Sequence, residues 1–281
     1  MEALVAMVTD RPYVVAFLAA FLLVSGAERG GRRTLFWLVS GTFIGWLAEF
    51  SSVHNGVPFG FYTYHQANFP RELWLAGIPL FASLSFAFLT YFGFSIATTF
   101  LSPLRWEGSD LQRVSNRRVA TSLRVLLLAA AITTWADMVT DPVALLGKYW
   151  FLGDLYAYHA AGVQFDVPLS NYAGWFVTSL CIVFLNQRFD SWLGRREARP
   201  PRGLHLPCKP LWSVGSWVGN CIFMLGVIVV LLSSGRVPDS VPLREILASN
   251  LILTMLFVTF AIVMIRRGLQ RSQPASGEAV Q

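Results

Sequence analysis

Three carboxylates stand where carboxylates are rare. Glu49, Asp137 and Asp141 lie inside long apolar stretches, whereas the rest of the chain's 16 acidic residues fall outside them. An ionised carboxylate at membrane depth is costly, so such groups are read as functional by default. The chemistry open to them is proton transfer, or a grip on a cation if enough of them gather. Asp137 and Asp141 are four residues apart and share one helical face. Glu49 lies 16 residues after Arg33, about 24 Å along a helix, and Asp137 lies 19 residues after Arg118, about 28 Å. Against a hydrocarbon core of about 30 Å, both fall in the third farthest from those arginines. Pro142 follows Asp141 directly, so a helix continues past it only with a kink. The competing reading is structural: Glu49 bonded to a donor on a neighbouring helix or loop, Asp141 to loop amides at a helix end.

The elements that position these groups follow from composition. Of 281 residues, 54% are hydrophobic and 14% charged, against about 25% charged in a typical soluble domain. That excludes a disordered chain, a coiled coil and a nucleic-acid-binding domain. Seven segments are candidate spans: 12–27, 34–50, 73–101, 119–141, 168–186, 211–232 and 246–265. The expected fold is all-α, a polytopic transmembrane bundle of about seven helices. The longest connections, 142–167 and 187–210, are too short for a soluble domain. Residues 1–281 therefore read as one integral membrane domain, with a motif-bearing core at 34–186 and a polar tail at 266–281.

The net charge of +6 resolves into a topology signal. The connections 28–33, 102–118 and 187–210, with the tail, hold 16 Lys and Arg; the alternate set holds 5, and Arg124 lies just inside the fourth segment. By the positive-inside rule the N-terminus is outside and the C-terminus cytoplasmic, in a bacterial cytoplasmic membrane. Ser25-Gly26-Ala27 has the look of a signal-peptidase site, but Glu2, Asp10 and the arginines at 29, 32 and 33 argue for a retained first helix.

Other polar and aromatic residues cluster near the acids. The 51–72 connection is aromatic and rich in turn residues (Asn55-Gly56, Pro58, Gly60), as expected of a hairpin folding back over the bundle mouth. His54, His65 and His159 lack metal-ligand spacing and read as structural or interfacial; His205 sits in a basic loop. Tyr62, Tyr64, Trp150 and Trp175 belong to a one-sided aromatic belt that also fits the wall of an apolar or cation-forming ligand. Asn171, in the first turn of the fifth segment, either caps the helix or holds a substrate or water. Cys181, Cys208 and Cys221 have no pairing pattern and read as apolar fillers.

At these residues the chain resembles the membrane carotenoid biosynthesis proteins that include bisanhydrobacterioruberin and γ-carotene hydratases. The matching blocks are Glu49 with His54-Asn55-Gly56-Val57-Pro58-Phe59-Gly60-Phe61-Tyr62-Thr63-Tyr64, then Gly77-Ile78-Pro79, then Trp135-Ala136-Asp137-Met138-Val139-Thr140-Asp141-Pro142. Gly147-Lys148-Tyr149-Trp150 and Val167-Pro168-Leu169-Ser170-Asn171-Tyr172-Ala173-Gly174-Trp175 complete an ordered set spanning 49–175. Two places depart from the family pattern: Tyr149-Trp150-Phe151-Leu152 replaces a Trp-x-Trp, and Phe165-Asp166-Val167-Pro168 replaces a Gly-Val-Pro.

The resemblance implies acid-catalysed addition of water to the terminal double bond of an acyclic carotenoid, giving a tertiary alcohol, with no metal or other cofactor. Its expected partners are the carotenoid, the lipid bilayer and other carotenoid enzymes, and no nucleic acid. Hydration needs a proton donor and a captured water. Asp137 is the expected acid, Asp141 the partner sharing its proton, and Glu49 the group that orients water. His54, Asn55, Tyr62, Tyr64, Trp150, Asn171 and Trp175 are the expected substrate-binding residues. The alternatives are a non-catalytic carotenoid-binding protein, an intramembrane prenyltransferase (Asp137-x-x-x-Asp141 resembles half of such a site) and a lycopene cyclase, whose Pro-x-Glu-Glu motif is absent.

Overall fold

Seven long helices dominate a computed structural model that describes residues 9–114, 116–160, 162–196 and 205–272. The last nine residues of the polar tail and the middle of the 187–210 connection lie outside the described residues. The helices are α1 (Pro12–Arg29), α2 (Gly31–Asn55), α3 (Leu80–Leu101), α4 (Leu123–Ala144), α5 (Leu169–Arg196), α6 (Lys209–Ser234) and α7 (Leu243–Gln270). All except α2 are long and apolar enough to cross a membrane, which gives six candidate spans. Arg32, Arg33, Glu49 and His54, with several Gly, Ser and Thr, lower the apolarity of α2, although it has 25 residues.

Every helix outruns its expected segment at one or both ends except α3; α3 and α4 begin several residues later than expected. The 73–101 segment becomes helical only at Leu80. Before it, Trp74–Leu75 (β2) pairs with Ile78–Pro79 (β3) around Ala76 and Gly77, both at positive φ. α4 begins at Leu123, where the Ser122 side chain accepts from the Val125 N–H. α1 continues through Arg29 and so buries Glu28, which the sequence places in a connection. Tyr91 and Ser95 donate to Glu28 Oε2, and Arg113 pairs with Oε1. Glu28 is thus a fourth carboxylate inside the bundle.

α3 is the central helix, in contact with all six others. Its residues are apolar on every side, as a fully surrounded helix requires. α2 lies antiparallel to it. Trp37 Nε1 donates to Thr90, Gly41 abuts Ala87, Gly45 abuts Phe86, and Ser83 donates to Glu49. The glycines let the two backbones approach closely.

The connections gather at opposite ends of the bundle. At one end Arg29 and Arg33 pair with Asp190, Arg113 pairs with Glu28, and the hairpin of Leu104–Glu107 (β4) and Asp110–Arg113 (β5) bonds Cys208 and Ser272. At the other end Arg11 pairs with Glu72 and donates to the Leu152 carbonyl, and Tyr62–Tyr64 (β1) pairs with Tyr156–Tyr158 (β6). The basic connections share the first end, and the aromatic ones share the second.

Candidate functional site

On α4, residues 137, 140, 141 and 144 recur at helical spacing, and all four line one cavity of about 180 Å³. α4 runs through Pro142 to Ala144. A proline inside a helix frees the carbonyl four residues earlier, here that of Met138. Gln164 Nε2 donates to it at 3.3 Å, and Tyr172 fixes Gln164 by donating to Oε1 at 2.7 Å. The 142–167 connection thereby repairs the helix that carries the acids.

Asn171 sits opposite, in the first turn of α5. Its Nδ2 donates to Asp137 Oδ2 at 2.7 Å and to Asp141 Oδ2 at 3.0 Å. One side-chain amide therefore bridges both aspartates; of the two sequence readings of Asn171, the bonds go to the acids. Asp141 accepts two further bonds, from the Tyr156 hydroxyl to Oδ1 and from the Tyr158 hydroxyl to Oδ2 at 2.8 Å. Both Asp141 oxygens are engaged, whereas Asp137 Oδ1 accepts no bond among the described residues.

Glu49 enters from α2. Tyr64 donates to its Oε1 at 2.7 Å and Ser83 to its Oε2 at 3.0 Å. The two strands connect these acids. Tyr62 pairs with Tyr158 and Tyr64 with Tyr156 in antiparallel register. Alternate strand residues share a face, so all four rings turn to one side and meet edge to face, with centroids 5.3–6.0 Å apart. Tyr64 reaches Glu49 while Tyr156 and Tyr158 reach Asp141. Burial first, and the nearby carboxylates second, push all four phenols well above the ordinary tyrosine value. They stay protonated and act as donors.

The three acids line this one cavity together with Tyr62, Tyr64, Trp150, Asn171 and Trp175. Trp175 stacks on Phe86 at 4.2 Å, and Trp150 Nε1 donates to the Val143 carbonyl. His54 and Asn55, also expected to bind substrate, do not line it. They end α2 on its exposed side, with His54 Nδ1 bonded to the Phe50 carbonyl and its ring against Phe50. Gly56, in the left-handed conformation, then turns the chain away. His65 pairs with Asp154, His159 bonds Thr63 and His205 pairs with Asp110, all apart from the cavity. Ser83 and Asn220 carry no signal in the sequence, and Tyr156 and Tyr158 stand out there only as members of the one-sided aromatic belt. The two Tyr-x-Tyr runs carried a signal, since that spacing places both rings on one strand face. Among the described residues no three His, Cys, Asp or Glu side chains group as a metal site.

A family model described as carotenoid biosynthesis protein matches residues 11–237. The chain belongs to that family. No curated protein and no solved structure matches it. In this carotenoid biosynthesis protein the matched stretch runs from the start of α1 through α6, so it contains every residue that lines the cavity. It also contains the 49–175 blocks read from sequence. α7, from Leu243, lies beyond it.

Proposed function

We propose that this family member is a hydratase, adding water across the terminal double bond of an acyclic carotenoid end group. The observation that carries the reading is the unequal bonding of the paired aspartates in an otherwise apolar, aromatic cavity. Asp141 accepts from three donors and serves as the carboxylate of the pair, while Asp137 Oδ1 is free to hold a proton facing the substrate.

Asp137 gives that proton to the less substituted alkene carbon, and the π pair forms the new C–H bond. The tertiary cation left behind lies among ring faces, with Tyr62, Tyr64, Trp150 and Trp175 in the wall. Water then forms the C–O bond and returns one proton to the Asp137 carboxylate. The sum is alkene plus water to tertiary alcohol, with the acid regenerated. Glu49, on the α2 side of the cavity, orients the water. Asn171 and the strand tyrosines are positioning residues that hold the carboxyl groups in place.

The same reading places all seven long helices across a bacterial cytoplasmic membrane, N-terminus outside and C-terminus inside. The 25 residues of α2 span about 37 Å at 1.5 Å per residue, and the end that gathers the basic connections is the cytoplasmic one. The cavity then opens toward the outer face, with the carotenoid reaching it from the bilayer and from other carotenoid enzymes.

Expression in a host that makes an acyclic carotenoid, with mass spectrometry of the pigments, tests the reading. A gain of one water per reacted end is expected. Unchanged mass with shifted absorption would instead identify a cyclase, added isoprene units a prenyltransferase, and unaltered pigment a carotenoid-binding protein.

A further inference from the structure

One polar side chain in the cavity wall is not used by the chemistry above. Asn220, on α6, is 6% exposed and lines the same cavity as Asp137. Its Nδ2 donates to Thr140 Oγ1 at 2.9 Å. The Thr140 hydroxyl in turn donates to the Ala136 carbonyl at 2.9 Å. A hydroxyl has one proton, so with that proton given to Ala136, Thr140 Oγ1 can only accept. The Asn220 amide must then present its NH₂ to Thr140, and its orientation is set by chemistry. The group left over is Oδ1, an acceptor with no partner among the described residues. An unpaired acceptor in an apolar cavity is costly unless a ligand supplies a donor.

The ligand chemistry that fits is an O–H group. Thr140 lies directly before Asp141 and three residues after Asp137, so it is one helical turn from the proposed acid and lines the same cavity. Asn220 is therefore anchored to the residue one helical turn from the proposed acid, in the wall of the cavity they share. Resting on the hydratase reading, we propose that Asn220 Oδ1 binds the reacting oxygen itself: the attacking water before addition, and the tertiary hydroxyl after it. Water that donates to Asn220 presents a lone pair to the cation. As the C–O bond forms, its second proton passes to the Asp137 carboxylate, and the product hydroxyl keeps the bond to Oδ1. No oxidant, reductant or further reactant is needed.

This assigns Asn220 to water capture and not to protonation, and the two steps are separable in D₂O. Membranes holding the wild type convert an acyclic carotenoid to deuterated alcohol. In Asn220→Leu, which fills the same space without an acceptor, the alcohol should fall about tenfold. Deuterium should still enter the recovered, unhydrated carotenoid, because the cation forms and loses a proton again. Asn220→Gln, which keeps both an amide donor for Thr140 and an acceptor oxygen, should recover part of the alcohol formation. Undiminished alcohol in Asn220→Leu would overturn the assignment. So would parallel loss of alcohol and deuterium uptake in both variants, since that is the mark of a structural role. A wild type that makes alcohol while these variants behave otherwise refutes water capture alone; a wild type with neither alcohol nor deuterium uptake refutes the hydratase reading with it.

Discussion

The Asn171 side-chain amide donates to the Asp137 carboxylate at 2.7 Å across the contact between α5 and α4, and the same nitrogen reaches Asp141 at 3.0 Å. A single residue thereby sets the relative placement of the two aspartates. Asn171→Leu should lower alcohol formation at least about tenfold, the scale of a lost charge-assisted bond. Asn171→Asp should abolish it, because a third carboxylate then replaces the donor. Pigment analysis of the two variants, beside their content in the membrane, checks this; wild-type product from either would remove Asn171 from the site.

The strand tyrosines make a prediction about pH. Burial holds Tyr62, Tyr64, Tyr156 and Tyr158 well above the ordinary tyrosine value, so the folded protein keeps these protons where an unfolded chain releases them. Their contribution to stability is complete below about pH 10, the unfolded value, and is lost as pH rises beyond it. In a phenolate absorbance titration, Tyr64→Phe and Tyr158→Phe should leave the signal near pH 10 unchanged. A drop in that signal in either variant would show that the replaced phenol titrates normally.

Much of this site is legible in the sequence, and the part that is not has a physical reason. Carboxylates inside apolar segments announce themselves, so Glu49, Asp137 and Asp141 stand out without a structure. The bonds of Tyr156 and Tyr158 do not, because their partners in β1, Tyr64 and Tyr62, are 92 and 96 residues away, and no local pattern encodes that register. Glu28 is hidden for a different reason. The expected first segment ends at Ala27, just before it, yet α1 runs two residues further, to Arg29, and buries its carboxylate against Tyr91 and Arg113. His54 and Asn55 belong to a matching block, and their place at the end of α2 leaves them exposed, which the block alone does not show.

Close approach of α2 and α3 holds Glu49 in the wall, and Gly41 permits it. A Cβ there would lie 2.8 Å from the Ala87 Cα, a backbone atom that cannot swing aside. Gly41→Ala should destabilise the protein by about 1–3 kcal/mol. Gly219→Ala on α6, where a Cβ meets nothing within 4 Å, should not. Thermal unfolding in detergent compares them, and equal behaviour of the two would contradict the packing described.

At the aromatic end, Arg11 and Glu72 form an ion pair at 3.2 Å with side chains only 3% and 5% exposed. Arg11 also donates to the Leu152 carbonyl and lies over the Phe69 and Phe81 rings. Arg11→Ala leaves Glu72 buried and unpaired, a loss of about 3–5 kcal/mol. The double variant Arg11→Ala with Glu72→Gln should recover part of it. The same unfolding measurement decides, and a double variant no more stable than the single one would show that the pair is not coupled.

The central claim is that Asp137 delivers the proton. Asp137→Asn keeps the shape of the side chain and removes the acid. Expressed in a host that accumulates an acyclic carotenoid, this variant should reach the membrane at the wild-type level and yield pigment with no added water. Alcohol at the wild-type level from Asp137→Asn would contradict the account.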